Sequence, residues 1–183
     1  TFTASPATGW DFISFGGGID CTDGPCTWTA GTSSASATAL FKEQKTLTLV
    51  ITGKGSVTAN KDSLTTVEGS SVRACNAAKA TGPTTCTFTY YAGTSVSFTA
   101  AADSTWRFDA WGNACTGEAT TTCSVTMDDD KTVSATFVKT YVLTTSASIG
   151  GSVKTVDGSG NAVAGIDCTS AGGAGCSKVY DVN

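Results

Sequence analysis

The chain has 183 residues, a net charge of −4 and only 14% charged residues. This balance excludes a basic phosphate-gripping surface, so no nucleic-acid partner is expected. The chain contains no histidine, and so lacks the commonest general base and the commonest metal ligand. Its 34 threonines and 21 glycines, with leucine, lysine and glutamate scarce, give a composition of strands and turns. No apolar run approaches the roughly 18 residues of a membrane helix, so no membrane span is expected. With no initiator Met and no apolar leader, the chain reads as a secreted product whose signal has been removed.

In chain order, the first aromatic residues are Phe2, Trp10, Phe12 and Phe15, followed by Cys21 and Cys26. Strands are predicted at Leu47–Thr52, Thr87–Tyr91, Ser95–Ala100, Thr105–Trp111, Cys123–Met127 and Thr132–Val138, where β-branched and aromatic residues cluster. Val96, Phe98 and Ala100 alternate with Ser95, Ser97 and Thr99, the period of a half-buried strand. Gly53-Lys54-Gly55 and Met127 to Lys131 read as turns, and Asn76–Pro83 as a short helical turn.

Eight cysteines fall into four local pairs: Cys21 and Cys26, Cys75 and Cys86, Cys115 and Cys123, Cys168 and Cys176. Eight cysteines permit roughly a hundred connectivities. Local pairing is the simplest, and each short loop would stabilise by roughly 2–3 kcal/mol. An even count in a charge-poor chain points to an oxidising, extracellular setting. The spacings wander and no histidine helps, so zinc is disfavoured and no metal or cofactor is expected.

The chain repeats itself. Phe98, Trp106, Phe108, Trp111, Gly112 and Phe137 stand 96 positions after Phe2, Trp10, Phe12, Phe15, Gly16 and Phe41. Gly151-Ser152-Val153 stands 96 after Gly55-Ser56-Val57. Residues 1–42 therefore read as the second half of a repeat, 43–138 as a complete repeat and 139–183 as the first half of another. The expected fold is all-β, a β-sandwich type built as two small disulfide-stapled modules. One module is continuous; the other is split between the N- and C-terminal halves.

The motifs carry a family resemblance. Gly93-Thr94 with Val96, Phe98 and Ala100 opens the pattern, and Phe108, Trp111 and Gly112 continue it. Val125, Met127, Lys131, Val133, Ala135 and Phe137 close it at alternating and four-residue spacings. Residues 92–137 are similar to the divergent InlB B-repeat modules of bacterial secreted and surface proteins, and residues 1–42 match more loosely. The resemblance implies a small extracellular module of stalks and adhesins, with no catalytic residue to transfer.

Candidate chemistry is sparse. Trp10, Trp28, Trp106, Trp111, Tyr90 and Tyr91 are aromatic enough for a sugar-stacking platform. Core burial competes for Trp106, Phe108 and Trp111, which leaves Trp28 and Tyr91 as the better exposed pair. Asp128, Asp129 and Asp130 have calcium-binding oxygens, but a solvated hairpin tip is the simpler reading. Asp109 and Glu118 form no recognisable acid pair, and no histidine activates a nucleophile. An enzyme is not expected.

A half-repeat exposes an apolar face and unpaired strand edges. The halves either close on each other within one chain or pair between copies, and the second kind of contact builds open filaments. The expected function is a secreted structural subunit of an extracellular filament, assembling head to tail by half-domain complementation. A junction of about 1,000–2,000 Å² would hold it. Thr1, Phe2, Thr3, Ala4, Trp10, Phe12, Phe15, Val153, Val179, Tyr180 and Val182 are the expected subunit interface. The alternative is a stalk or adhesin that binds surface glycans or a host protein.

Overall fold

The computed structural model describes residues 1–18, 21, 25–29, 31, 34, 36–64, 74–77, 82–147, 151–156, 159, 162–169 and 176–181. These residues contain strands and turns and no helix. The strands are β1 (Trp10–Gly17), β2 (Ala37–Thr52), β3 (Gly55–Ala59), β4 (Ala74–Ala77), β5 (Thr84–Tyr91) and β6 (Ser95–Ala102). They continue with β7 (Trp106–Asn113), β8 (Thr122–Thr126), β9 (Lys131–Thr144), β10 (Ser152–Val156), β11 (Ala162–Thr169) and β12 (Ser177–Asp181).

The centre of the molecule is a two-sheet sandwich. In one sheet β2 and β9 lie side by side in parallel, Leu47 against Lys131 through Thr52 against Thr136, with β5 on the outer edge of β2 and β7 on the outer edge of β9. The other sheet runs β4-β3-β6-β8. The predicted alternation holds: Leu47, Leu49 and Ile51 from the first sheet meet Val57, Val96 and Phe98 from the second, all at 0% exposure. Two disulfides clip the layers together. Cys75 on β4 reaches Cys86 on β5, and Cys115, just past β7, reaches Cys123 on β8.

Two arms extend this sandwich, and each copies half of it. The N-terminal arm pairs β1 with the first part of β2. Trp10–Glu43, Phe12–Phe41, Phe15–Ala39 and Gly17–Ala37 are partners. Adding 96 to each number gives the β7–β9 register: Trp106–Lys139, Phe108–Phe137, Trp111–Ala135 and Asn113–Val133. The bulge repeats as well, between Phe12 and Ser14 and between Phe108 and Ala110. So do the left-handed residues: Gly9 and Thr105 before the strand, Gly17 and Asn113 at its end. The C-terminal arm pairs the end of β9 with β12 and β10 with β11. Tyr141–Tyr180 copies Lys45–Tyr90, and Val153–Cys168 copies Val57–Cys75. Cys21–Cys26 and Cys168–Cys176 complete the four local disulfides.

The structure extends the predicted strands. Leu47–Thr52 and Thr132–Val138 are parts of strands of 16 and 14 residues that pass unbroken from arm to sandwich, through 42/43 and 138/139. A division of the chain at those points is invisible to the backbone, because the same alternating strand serves both sides. Two short strands, β3 and β4, complete the second sheet; Asn76 and Ala77 lie in β4 rather than in a helical turn, and residues 78–81 fall outside the described residues.

The parallel pairing fixes where the arms lie. β2 enters the sandwich from the N-terminal arm, and β9 leaves it for the C-terminal arm. Because the two strands run side by side in the same direction, one arm sits where both begin and the other where both end. A 16-residue strand spans about 50 Å. The arms therefore lie at opposite ends of the molecule.

Candidate assembly surfaces

Residues that form the core of the sandwich stand uncovered in the arms. Leu47, at 0% exposure, becomes Leu143 at 52%; Val57, at 0%, becomes Val153 at 37%; Tyr90, at 2%, becomes Tyr180 at 37%; Phe98, at 0%, becomes Phe2 at 41%. Secondary structure alone does not account for the difference, since the registers are the same. What the arms lack, among the described residues, is the other half of each sheet. No strand pairs with β10 as β6 pairs with β3, and none lies parallel to the arm portion of β2 as β9 lies beside its centre.

Each arm keeps a small core of its own. In the N-terminal arm Phe15 and Cys26 are buried against Phe12, Ala4 and Cys21. Ring centroids of Phe12 lie 4.8 Å from Phe15 and 5.8 Å from Phe41. The sandwich repeats this trio with Phe108 at 5.2 Å from Trp111 and 5.8 Å from Phe137. In the C-terminal arm, among the described residues, only Ile166 and Cys168 are buried. Lys178 occupies the place of Phe88; its ammonium donates to the Ala164 carbonyl at 3.2 Å and lies over Tyr180.

The expected interface residues thus divide. Phe2, Trp10, Val153 and Tyr180 are exposed on the uncovered faces. Thr1 and Thr3 are exposed, and Ala4 and Phe12 are half-buried. Phe15 does not contribute a free face: it is 7% exposed, packed inside its own arm. Val179 stands at the place of Thr89, on the side of β12 opposite Tyr180. Val182 lies outside the described residues. The sequence reading missed Tyr141 and Leu143, whose signal was their 96-residue spacing from Lys45 and Leu47.

Each joint between sandwich and arm carries a polar clasp. At the first, the Tyr91 hydroxyl donates to Asp11 Oδ2 at 3.0 Å and the Gln44 amide donates to the same oxygen at 2.7 Å. At the second, Arg107 donates through Nε and Nη2 to the two carboxylate oxygens of Asp181, both at 2.7 Å. These are equivalent positions with different chemistry: Asp11 is 96 before Arg107, and Tyr91 is 90 before Asp181. The hydrogen bonds from Arg107 hold the Asp181 carboxyl below the usual carboxylate range.

The other candidates are engaged in structure. Trp111 is buried and donates from Nε1 to the Thr120 carbonyl at 2.9 Å, and Tyr90, on the strand at the other edge of the same sheet, is buried too. Tyr91, expected to be exposed, is half-buried, its hydroxyl bound to Asp11 and its ring beneath Lys42. Trp28 is 37% exposed. At the hairpin tip Asp128 pairs with Lys131, Asp129 lies near Lys45, and Asp130 accepts the Thr46 N–H. Asp109 pairs with Arg107. Among the described residues no group of three His, Cys, Asp or Glu side chains is placed to hold a metal.

Fold and faces together describe a disulfide-stapled β-sandwich whose long strands run on into two half-sandwich arms. Residues 74–140, from β4 into the long strand β9, match the Divergent InlB B-repeat domain, a repeat typical of bacterial surface or secreted proteins. No curated protein and no solved structure matches the chain. The four disulfides and the family together suggest a secreted or surface-exposed protein.

Proposed function

We infer that this chain is a non-enzymatic structural subunit of an extracellular filament, in which the C-terminal arm of one copy and the N-terminal arm of the next complete a single β-sandwich module. One observation carries this reading: the two arms hold complementary halves of a fold whose assembled form the same chain displays at its centre. The central sandwich joins residues 44–91 to residues 95–138 through the β2–β9 and β3–β6 pairings. The arms carry the same halves in the same registers, with core positions uncovered. Because the arms lie at opposite ends, a half cannot fold back onto its mate within one chain. A contact between unlike ends of identical copies propagates into an open filament wherever its rotation does not close a ring. Strand addition and apolar burial act together at such a junction.

The test is the state of purified, oxidised protein. Light scattering and negative-stain images are expected to give unbranched fibres whose length grows with concentration. Monodisperse monomer at every concentration tried would remove the reading.

A stalk is the second reading, favoured by the way β2 and β9 cross the joints without a break, as strands would in a stiff rod of tandem modules. Reducing, denaturing electrophoresis of native material separates the two. A filament releases chains of this size, whereas a stalk stays one long polypeptide.

A further inference from the structure

In the central sandwich the glycine turn between β2 and β3 is pressed into a seat. A Cβ built on Gly55 would lie 2.6 Å from Phe137 Cζ and 2.8 Å from the Ala101 carbonyl oxygen. At Gly53 it would meet the Phe137 carbonyl and come within 2.9 Å of the Trp106 ring. The Asp103 N–H bonds to the Lys54 carbonyl at 3.3 Å. The seat is therefore made by Ala101, Asp103, Trp106 and Phe137, and Gly55 is glycine because no side chain fits there.

The residues 96 positions earlier are Ser5, Ala7, Trp10 and Phe41. With Pro6 they line a groove of about 230 Å³ at the sandwich end of the N-terminal arm, beside the first joint, where Trp10 pairs with Glu43. Trp10 is 41% exposed there, while its counterpart Trp106 is half-buried. The counterpart of Gly55 is Gly151, which is exposed and leads into β10, a strand that among the described residues pairs only with β11.

Resting on the filament reading, we propose that this groove is the docking seat for Gly151 of a second copy. With the seat filled, β10 aligns antiparallel to residues 2–6 of the neighbour. The β3–β6 register sets the pairing: Val57–Ala100 becomes Val153 against Ala4 of the neighbour, and Ala59–Phe98 becomes Thr155 against its Phe2. Phe2 is thereby covered as Phe98 is covered in the sandwich. The occupant is a second copy because the seat and the residue that fills it lie in different arms, with the sandwich between them.

Two substitutions test the seat from its two sides. Gly151→Val drives a side chain into Phe41, and Ala7→Trp fills the groove in advance. Each variant alone is expected to stay monomeric by light scattering under conditions where the unaltered chain forms fibres. An equimolar mixture is expected to give a discrete dimer. It retains one intact seat and one intact Gly151, and both outer ends are blocked. Independently, Ala4→Cys with Val153→Cys is expected to form an inter-chain disulfide ladder on oxidation. Thr3→Cys with Val153→Cys, one residue out of register, is not. If the unaltered chain polymerises and Gly151→Val polymerises to the same length, or the mixture yields no dimer, or the ladder forms only in the shifted pair, the seat is overturned while head-to-tail assembly stands. If the unaltered chain never associates, both proposals fall.

Discussion

Identical residues in identical local geometry experience different surroundings along this chain. Leu47 is enclosed between two sheets, whereas Leu143 faces outward from one. Removing a buried leucine side chain costs the transfer free energy plus a cavity, so Leu47→Ala is expected to destabilise by about 2–5 kcal/mol in urea melts. Leu143→Ala in the free monomer is expected to cost within about 0.5 kcal/mol, the range of surface changes, yet it should weaken association. Tyr90 gives a second residue-scale test. Burial in the sandwich and the nearby Asp62 push its hydroxyl up to about 12. Its proton is held more tightly in the folded state than in the unfolded chain, where tyrosine titrates near 10. The stabilisation is thus complete below about pH 10 and is lost as pH rises towards 12. Tyr90→Phe is expected to flatten this alkaline decline in a series of thermal melts. It removes only one weak bond, from the hydroxyl to the Lys61 carbonyl at 3.4 Å.

At the scale of elements, the joints decide how stiffly the arms are held. β7 and β12 lie end to end along one edge of β9, and Arg107 bridges them through Asp181. Asp181 is held below its ordinary range, so its contribution is present above about pH 4 and is lost as pH falls. Asp181→Asn is expected to speed amide hydrogen exchange in β12 while leaving β5 unchanged. Lowering the pH below 4 should do the same to the parent chain. The disulfide between β4 and β5 staples sheet to sheet, so Cys75→Ser with Cys86→Ser is expected to lower stability by about 2–4 kcal/mol, read as a fall in the urea midpoint. The long strands explain one misreading. Apolar alternation marks where a strand is half-buried but not where one module yields to the next, so the sequence showed two strand cores and hid their continuation into the arms.

For the whole molecule, one contact has more consequence than the rest: the parallel alignment of β2 and β9. It pairs residues about 84 apart, Leu47 with Lys131, and sends the two arms to opposite poles. Antiparallel neighbours would have brought the arms to the same end, where closure within one chain would compete with assembly. On the filament proposal, fibres are expected to show an axial period of one complete plus one junction module per subunit, measurable in averaged images. Two alike modules per subunit should halve the apparent repeat at low resolution.

The sequence by itself determined the all-β character, the four cysteine pairs and the repeat, because period-two alternation and a fixed spacing of 96 are local or self-referential signals. It could also mark Phe2, Trp10, Val153 and Tyr180 as core-type residues without a matching other half. Only the tertiary structure decided that Phe15 is internal to its arm, that Tyr91 is clasped to Asp11, and that the arms point apart. Strand direction and neighbour are set by hydrogen bonding between distant segments, and no pattern along a single strand encodes them.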